Sequence, residues 1–299
     1  MKSEFLDHCG YVAIIGRPNV GKSTLLNRIL GQKISITTRK PQTTRHQILG
    51  IKTTAAAQVV YVDTPGIHRG SKKAMNRYMN KAAASVINDV EVVVFVVDGM
   101  RWQEDDQVIL EKLKSVDAPV ILALNKLDKL DDREQLLPYI QQMSEKMIFK
   151  EIIPISATKG ENIESLEAMV TSLLPASPAF FPEDQVTDKS ERFVAAELVR
   201  EKLMMRLGQE VPYSITVEIE QFKLEKKILH INALIWVERD NQKMIVIGKN
   251  GEMLKAVGKQ ARLEMEDMFE KKVFLKLWVK VKDKWADDER ALQNLGYTE

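Results

Sequence analysis

Cysteine is almost absent from the chain. Cys9 stands alone, which excludes an internal disulfide and fits a reducing cytoplasm, with the thiol acting as a small buried hydrophobe. The four histidines are scattered without the spacing of a zinc site. No run approaches the roughly 18 apolar residues that a spanning helix needs. The amino-terminal MKSEFLDHCG also lacks an apolar signal core, so the expectation is a soluble, cytoplasmic chain with no transmembrane segment. An excess of one charge is missing too: 44 Lys+Arg against 42 Asp+Glu leave +2, so the chain is no polycation and any nucleic-acid contact must come from a local patch. Internal repeats and low-complexity tracts are absent. What remains is 299 residues of which 44% are hydrophobic, enough for about two domains with cores of their own.

Gly16 to Ser23 reads GRPNVGKS, between the apolar run 11–15 and the helix-like stretch 24–30. A phosphate-binding loop needs that strand-then-helix context. Its glycines let successive N–H groups turn inward on phosphate oxygens, and the helix start adds partial positive charge. The candidate nucleotide residues here are Gly16, Arg17, Pro18, Asn19, Val20, Gly21, Lys22, Ser23 and Thr24. Lys22 would reach the β- and γ-phosphates, and the Ser23 hydroxyl would sit on Mg²⁺.

The base is read by later residues. Asn125, Lys126, Leu127 and Asp128 follow the apolar run 119–124, which places them at the carboxyl end of a buried strand. A carboxylate at Asp128 accepts both N1–H and the exocyclic amine of guanine, a donor pair that adenine lacks. Asn125 would tie the loops together, and the Lys126 stem would cover one face of the base. Ser156, Ala157 and Thr158, after the strand-like run 151–155, would offer backbone N–H groups to the guanine oxygen.

Between these motifs, Asp63, Thr64, Pro65 and Gly66 end the strand-like run 58–62. Asp63 would hold Mg²⁺ through a water, and the Gly66 N–H could approach the γ-phosphate because no side chain intervenes. The upstream polar segment Pro41-Gln42-Thr43-Thr44-Arg45 should supply one more threonine to the Mg²⁺ shell, Thr44 ahead of Thr43. Lys22, Thr44 and Gly66 are thus the candidate catalytic groups, and Ser23, Thr44 and Asp63 the candidate metal set. Both segments would touch the γ-phosphate, so its loss should release them as an order–disorder switch.

Strand-like and helical runs alternate up to about residue 174, which predicts a mostly parallel sheet with helices on both faces. The nearly continuous Val and Phe of 91–97 suit a strand buried on both sides. Pro175, Pro178 and Pro182 then break regular structure and mark a semi-rigid hinge. The boundaries expected are a first domain over 1–175, the hinge over 176–190 and a second domain over 191–299. In the second, the pattern predicts helix 190–207, strands near 213–221 and 228–238, a short apolar run 244–247, helix 252–269 and strand 272–282.

Gly248, Lys249, Asn250 and Gly251 form a G-x-x-G turn before that last helix. Tight glycines there would let single-stranded RNA lie against the helix start, with Lys255, Lys259 and Arg262 near the same face; a glycine turn capping a helix is the plainer alternative. Strand 272–282 alternates strictly, with Phe274, Lys276, Trp278, Lys280 and Lys282 opposite the core-facing set. Those residues either stack bases and neutralise phosphates or pack against a helix.

GRPNVGKS, KPQTTRHQ and YVDTPGIH, followed by this carboxyl-terminal half, resemble the Era family within the translation-factor-related GTPases. The resemblance spans essentially the whole chain. It implies an α/β P-loop GTPase domain followed by a smaller α+β KH domain of type II. It also implies Mg²⁺-dependent hydrolysis of GTP to GDP by a monomer, with the 3′ end of small-subunit ribosomal RNA and the 30S subunit as partners and a peripheral fraction at the inner membrane. Ile67 stands where a Ras-type enzyme carries the glutamine that orients water, so catalysis must rest elsewhere. Asn19 resembles a K⁺ ligand of related GTPases or else only shapes the loop, and both readings stay open. His68, adjacent to Ile67, could be proposed as a base, but a lone histidine in a loop-like segment is expected to be solvated instead. Two other readings remain: a nucleotide-gated RNA scaffold with incidental hydrolysis, and a GTPase of tRNA modification, against which the G-x-x-G turn argues.

Overall fold

A computed structural model of the chain describes residues 5–66, 74–130, 132–208, 211–295 and 297. Two compact units divide it: Met1–Ser35, Thr44–Ser71 and Met79–Asp188 form one, and Ile36–Thr43, Lys72–Tyr78 and Lys189–Glu299 the other.

In the first unit, strands β1 His8–Ile15, β2 Ile48–Thr53, β3 Ala57–Asp63, β4 Val92–Asp98, β5 Val120–Asn125 and β6 Glu151–Pro154 make one sheet in the order β2-β3-β1-β4-β5-β6. All pairs are parallel except β2 with β3. The intervening helices are α1 Lys22–Leu30, α2 Ala74–Ser85, α3 Glu104–Leu113, α4 Leu136–Ser144 and α5 Ile163–Ser172. Every residue of β4 from Val92 to Val97 is buried, as a strand covered on both faces requires. On one face Ala13, Val93, Phe95 and Leu122 pack with Ile109 and Leu113 of α3 and Met143 of α4. On the other, α1 lies against β2 and β3 and α5 against β1. The chain leaves β1 for β3 on one side and returns to β4 on the other, so the carboxyl end of β1 is a topological switch point, where open α/β sheets hold ligands.

The proline-bearing segment is more ordered than its composition suggests. Ser177–Pro178 pairs antiparallel with Phe5–Leu6. The Phe180 and Phe181 N–H groups donate to Gln58 Oε1 at 2.7 and 3.0 Å, and the Ile51 N–H donates to Val186 O at 2.8 Å. Proline removes donors, but carbonyls and the residues between prolines still bond to the sheet, and Phe180 stacks on Tyr11 with ring centroids 5.2 Å apart.

The second unit runs α6 Glu191–Arg206, β7 Thr216–Glu225, β8 Ile228–Val237, α7 Asp240–Ile247, α8 Glu252–Phe269, β9 Lys272–Val281 and α9 Glu289–Asn294. Its sheet has the order β9-β8-β7, with β8 antiparallel to β7 and parallel to β9. Leu198 and Leu203 of α6 and Val257, Ala261 and Met265 of α8 close over one face. The apolar run expected over 244–247 is the end of α7: Met244 and Ile245 are 75% and 48% exposed while Val246 is buried and Ile247 packs on the core, so two adjacent residues rather than a spaced stripe face inward. Gln242 starts it by accepting from the Glu238 and Arg239 N–H groups at 2.9 and 3.2 Å.

Ile36–Thr43 belongs to this unit. The Glu201 carboxylate of α6 accepts from the Thr37 N–H at 2.9 Å, and Arg200, itself buried and paired with Glu197 at 2.6 Å, donates to Thr43 O. Lys40 donates to Leu207 O.

Candidate guanine-nucleotide site and RNA groove

The loop from Gly16 to Gly21 joins β1 to α1 at the switch point. Gly21 takes φ 105°, and a Cβ there would lie 2.3 Å from Asn125 Nδ2, so only glycine fits. A Cβ on Gly16 would lie 2.3 Å from Val96 O, and one on Gly66 2.7 Å from Pro18 N. The third turn of the site therefore touches the first. Asn19 has φ 65°, a left-handed conformation that asparagine tolerates better than most residues. Arg17 turns away from the loop mouth to pair with buried Asp106 at 3.0 Å.

Lys22 is buried, and its Nζ donates to Gly16 O at 2.9 Å and Arg17 O at 3.0 Å. Loss of solvation lowers its pKa to about 8, with Asp63 pulling the other way. Burial likewise raises the Asp63 carboxyl, against the opposing pull of Lys22 and three hydroxyl donors. Those donors are Ser23 Oγ at 2.7 Å, Ser35 Oγ at 3.0 Å and Thr44 Oγ1 at 3.4 Å. Ser23 Oγ also lies 2.7 Å from Thr44 Oγ1. Thr43 is elsewhere, with its hydroxyl 2.7 Å from Thr38 Oγ1 and donating to Lys40 O. Asp63 Oδ1 is buried and, among the described residues, has no hydrogen-bond partner. An orphaned carboxylate oxygen beside two hydroxyls is the donor set a hard, oxygen-seeking Mg²⁺ fits. No group of three or more His, Cys, Asp or Glu that could hold a metal occurs among the described residues.

On the base side, Asn125 Nδ2 donates to Val20 O at 2.7 Å while its Oδ1 accepts from the Lys126 and Ala157 N–H groups at 2.8 and 3.0 Å. One side chain thus joins three loops. Lys126 Nζ reaches Asn19 O at 2.6 Å and Asp98 at 2.8 Å. Leu127 is buried and donates its N–H to Ile155 O at 3.1 Å. Asp128 is exposed and accepts from Ser156 Oγ. The Ser156 N–H donates to Glu161 O at 3.1 Å, so that group and the Ala157 N–H are engaged within the protein rather than presented to a ligand. Thr158 O accepts from Arg28. Thr64 is buried with its hydroxyl on Ile14 O at 3.0 Å, Pro65 follows it, and Thr24 lies in the first turn of α1. Ile67 and His68 lie outside the described residues. Sequence reasoning missed Ser35 and the Arg17–Asp106 pair; their only signal is distance in three dimensions.

In the second unit, Gly248 and Gly251 take φ 74° and 77° and Asn250 takes φ 51°. A Cβ on Gly248 would lie 2.6 Å from Met253 Cβ, while one on Gly251 would meet nothing within 4 Å. The turn opens on a groove of about 430 Å³. Asn250, Gly251, Lys255, Lys259 and Arg262 line one wall and Leu275 and Leu277 of β9 the other. Gly248 and Lys249 belong to the turn but not to the wall. A basic helix face over an apolar strand is a surface on which single-stranded RNA can lie backbone to cation and base to hydrocarbon.

A switch-point phosphate loop followed by a guanine-type Asn-Lys-x-Asp turn defines a P-loop GTPase, and the second unit adds a KH-type module. Residues 11–126 match the family described as 50S ribosome-binding GTPase, and residues 210–286 match the KH domain family. GTPase Era of Ectopseudomonas mendocina is 60% identical over 98% of this chain and 98% of its own, and GTPase Era of Pseudomonas fluorescens is 59% identical over 97% and 96%. The chain belongs to the Era GTPase family. Among solved structures, an Aquifex aeolicus Era variant bound to GDP and AlF₄⁻ superposes with a TM-score of 0.94 at 40% identity, over 98% of this chain and 100% of that one. Era in complex with MgGDPNP and nucleotides 1506–1542 of 16S ribosomal RNA superposes equally well, also at 40% identity, over 98% and 99%. No helix among the described residues is long and apolar enough to cross a membrane.

Proposed function

We propose that the chain is a Mg²⁺-dependent, GTP-hydrolysing switch that binds the 3′ end of small-subunit ribosomal RNA and acts in maturation of the small ribosomal subunit. The GTP half is residues 1–175 and the RNA half 191–299, with 176–190 between them. The observation that carries the first half is the convergence of Ser23, Thr44 and Asp63, with its orphaned Oδ1, beside buried Lys22. Ser23 and Thr44 would hold Mg²⁺ directly and Asp63 through water. The ion, when bound, neutralises charge on the phosphates. Lys22 takes the β- and γ-phosphates, and Gly66, against Pro18, brings its N–H toward the γ-phosphate. Asp128 reads guanine, Asn125 fixes the pocket, and Lys126 covers the base, with Leu127 and Ser156–Thr158 closing it.

Without a glutamine at Ile67, added positive charge near the β–γ bridge comes from K⁺ held at Asn19. Hydrolysis is then faster in KCl than in NaCl, and Asn19→Ala erases the difference; equal rates in both salts leave Asn19 the loop-shaping role. The RNA half is supported by the basic groove and by the 16S fragment in the Era complex. The protein works as a monomer in the cytoplasm with a peripheral fraction at the inner membrane. Crosslinking the GTP-bound protein to total cellular RNA and sequencing the contacts tests the reading. Contacts concentrated at the 3′ end of the small-subunit RNA support it, and contacts confined to tRNA overturn it.

A further inference from the structure

Helices α6 and α8 cover one face of the second unit's sheet, and on the other the Tyr297 hydroxyl lies 3.0 Å from Thr216 Oγ1 at the start of β7. On that other face β9 presents Lys272, Phe274, Lys276, Trp278 and Lys280, all exposed, with Phe274 and Trp278 at 45% and 42%. The parallel register puts His230 beside Phe274, with ring centroids 5.3 Å apart, and Leu234 beside Trp278. Leu234 is 2% exposed, so side chains on this face already shelter an apolar floor. Lys276 lies over the Phe274 ring at 5.5 Å, and Lys280 and Lys282 lie 5.9 and 5.8 Å from the Trp236 ring. Lysine ammonium groups thus lie beside the Phe274 and Trp236 rings. Among the described residues no carboxylate comes within ion-pair distance of Lys276.

Large aromatics left half exposed on a strand edge cost solvation unless something covers them. The occupant's chemistry follows from the charges. The basic residues run along β9, while Glu218 and Glu220 sit on β7, where Glu218 accepts from Trp236 Nε1 and Glu220 faces Lys280 at 3.8 Å. An anion is thus steered to a narrow track along the edge strand, whereas an anionic bilayer would meet both strands at once. On that track rings alternate with lysines, and Phe274 and Trp278 are about 13 Å apart along the strand. A sheet offering aromatic faces and phosphate partners in turn is a platform for unpaired bases.

We propose that this face is a second RNA site, on which unpaired bases stack on Phe274 and Trp278 while Lys276 and Lys280 hold the phosphates. It rests on the reading of the second unit as an RNA binder and extends it. A KH clamp takes only about four nucleotides, far fewer than the span 1506–1542 present in the Era complex. Because β9 is the edge strand, RNA leaving the groove past Leu275 and Leu277 can round the edge and continue on the other face.

The test uses the full-length protein with Mg²⁺ and a non-hydrolysable GTP analogue. Anisotropy is read on two single-stranded RNAs ending in the 3′ sequence of the small-subunit RNA, one of about four nucleotides and one about three times longer. The longer RNA should bind tighter to wild type, and Phe274→Ala with Trp278→Ala should weaken it about tenfold per ring while leaving the short RNA unchanged. Phe274→Leu with Trp278→Leu, which keeps apolar bulk, should lose the same amount. Lys276→Gln with Lys280→Gln should make the fall of log affinity with log salt shallower, by about 0.7 for each phosphate no longer neutralised. Unaltered binding of the longer RNA in the ring variants overturns the proposal, as does an equal loss on both RNAs. Loss of association with phosphatidylglycerol vesicles in place of RNA overturns it in favour of a membrane surface. Lys249→Asp with Asn250→Asp separates the two readings: if it leaves the short RNA bound, the groove reading fails while the sheet face is still judged by the ring variants.

Discussion

The two glycine turns of this chain do related work under opposite packing regimes. The loop from Gly16 to Ser23 is enclosed: each glycine sits against a backbone or side-chain atom of a neighbouring strand, and its lysine is buried with its charge destabilised by lost water. The turn from Gly248 to Gly251 is open, with exposed Lys249 and free space beyond Gly251. Enclosure gives selectivity, because any ligand atom that fails to pair is left buried and unsatisfied. Openness gives tolerance, since a phosphodiester backbone is the same at every nucleotide and water completes whatever the protein leaves unpaired.

The sharpest way to break that contrast is at the base. Asp128→Asn swaps one acceptor oxygen for a donor, so GTP should weaken while XTP, which presents an oxygen there, should gain. The preference between the two should move by roughly 10⁴, the scale on which a hydrogen-bonding site rejects the wrong partner. Competition binding reads it directly, and an unchanged preference would remove Asp128 from the pocket.

Gly21→Ala comes next. Its Cβ would displace Asn125 Nδ2, which holds Val20 O, and so disturb the side chain that also anchors Ala157. Two buried hydrogen bonds at about 1–3 kcal/mol each put the loss of GTP affinity on the order of 10²-fold. Calorimetric titration with GTP and Mg²⁺ measures it, and wild-type affinity would mean that the enclosure is dispensable.

Much of this contrast is legible in sequence. The phosphate loop, the Asn125–Asp128 turn and the G-x-x-G turn are local patterns whose geometry follows from glycine freedom and one or two fixed side chains. The continuously apolar β4 and the alternating β9 announce their burial by period alone. What the sequence hides is contact at long range. That Ser35 joins Ser23 and Thr44 on Asp63, or that Arg200 and Glu201 grip the segment Ile36–Thr43, depends on residues far apart in the chain whose types are ordinary. The sequence puts Thr44 ahead of Thr43 without separating them by much; in the structure the Thr44 hydroxyl meets Ser23 and Asp63, while that of Thr43 meets Thr38 and Lys40 O. The helix α7 escapes notice for a different reason: of its apolar residues only Val246 and Ile247 turn to the core, while Met244 and Ile245 face solvent.

At the open turn a charge reversal should do what a steric change cannot. Lys249→Asp with Asn250→Asp removes one positive charge and adds two negative ones where the RNA backbone would lie, so affinity for single-stranded RNA should fall about tenfold or more at low salt, and the loss should shrink as salt is raised. Thermal unfolding should be nearly unchanged because both residues are exposed. Filter binding across a salt series checks this, and a loss that persisted at high salt would point to a distorted turn rather than to repulsion.

The smallest effect separates the two glycines of that turn. Gly248 and Gly251 have nearly the same φ, 74° and 77°, but not the same ψ: Gly251, at ψ 9°, is left-handed and a substitution there costs roughly 1–2 kcal/mol, whereas Gly248, at ψ 174°, lies in a region essentially confined to glycine. Only Gly248 adds a collision, with Met253 Cβ at 2.6 Å at the start of α8. Gly251→Ala should therefore cost about 1 kcal/mol, and Gly248→Ala measurably more, through a shifted helix start. Tryptophan fluorescence in a urea series reads the difference, since Trp236, Trp278 and Trp285 all lie in the second unit against Trp102 alone in the first. The RNA readout should run in parallel: Gly251→Ala places a methyl group in the open groove, where RNA can move around it, whereas Gly248→Ala moves the helix that carries Lys255 and Lys259. Equal costs in both readouts would mean that neither the ψ of Gly248 nor the packing of Met253 adds to the positive φ that both glycines share.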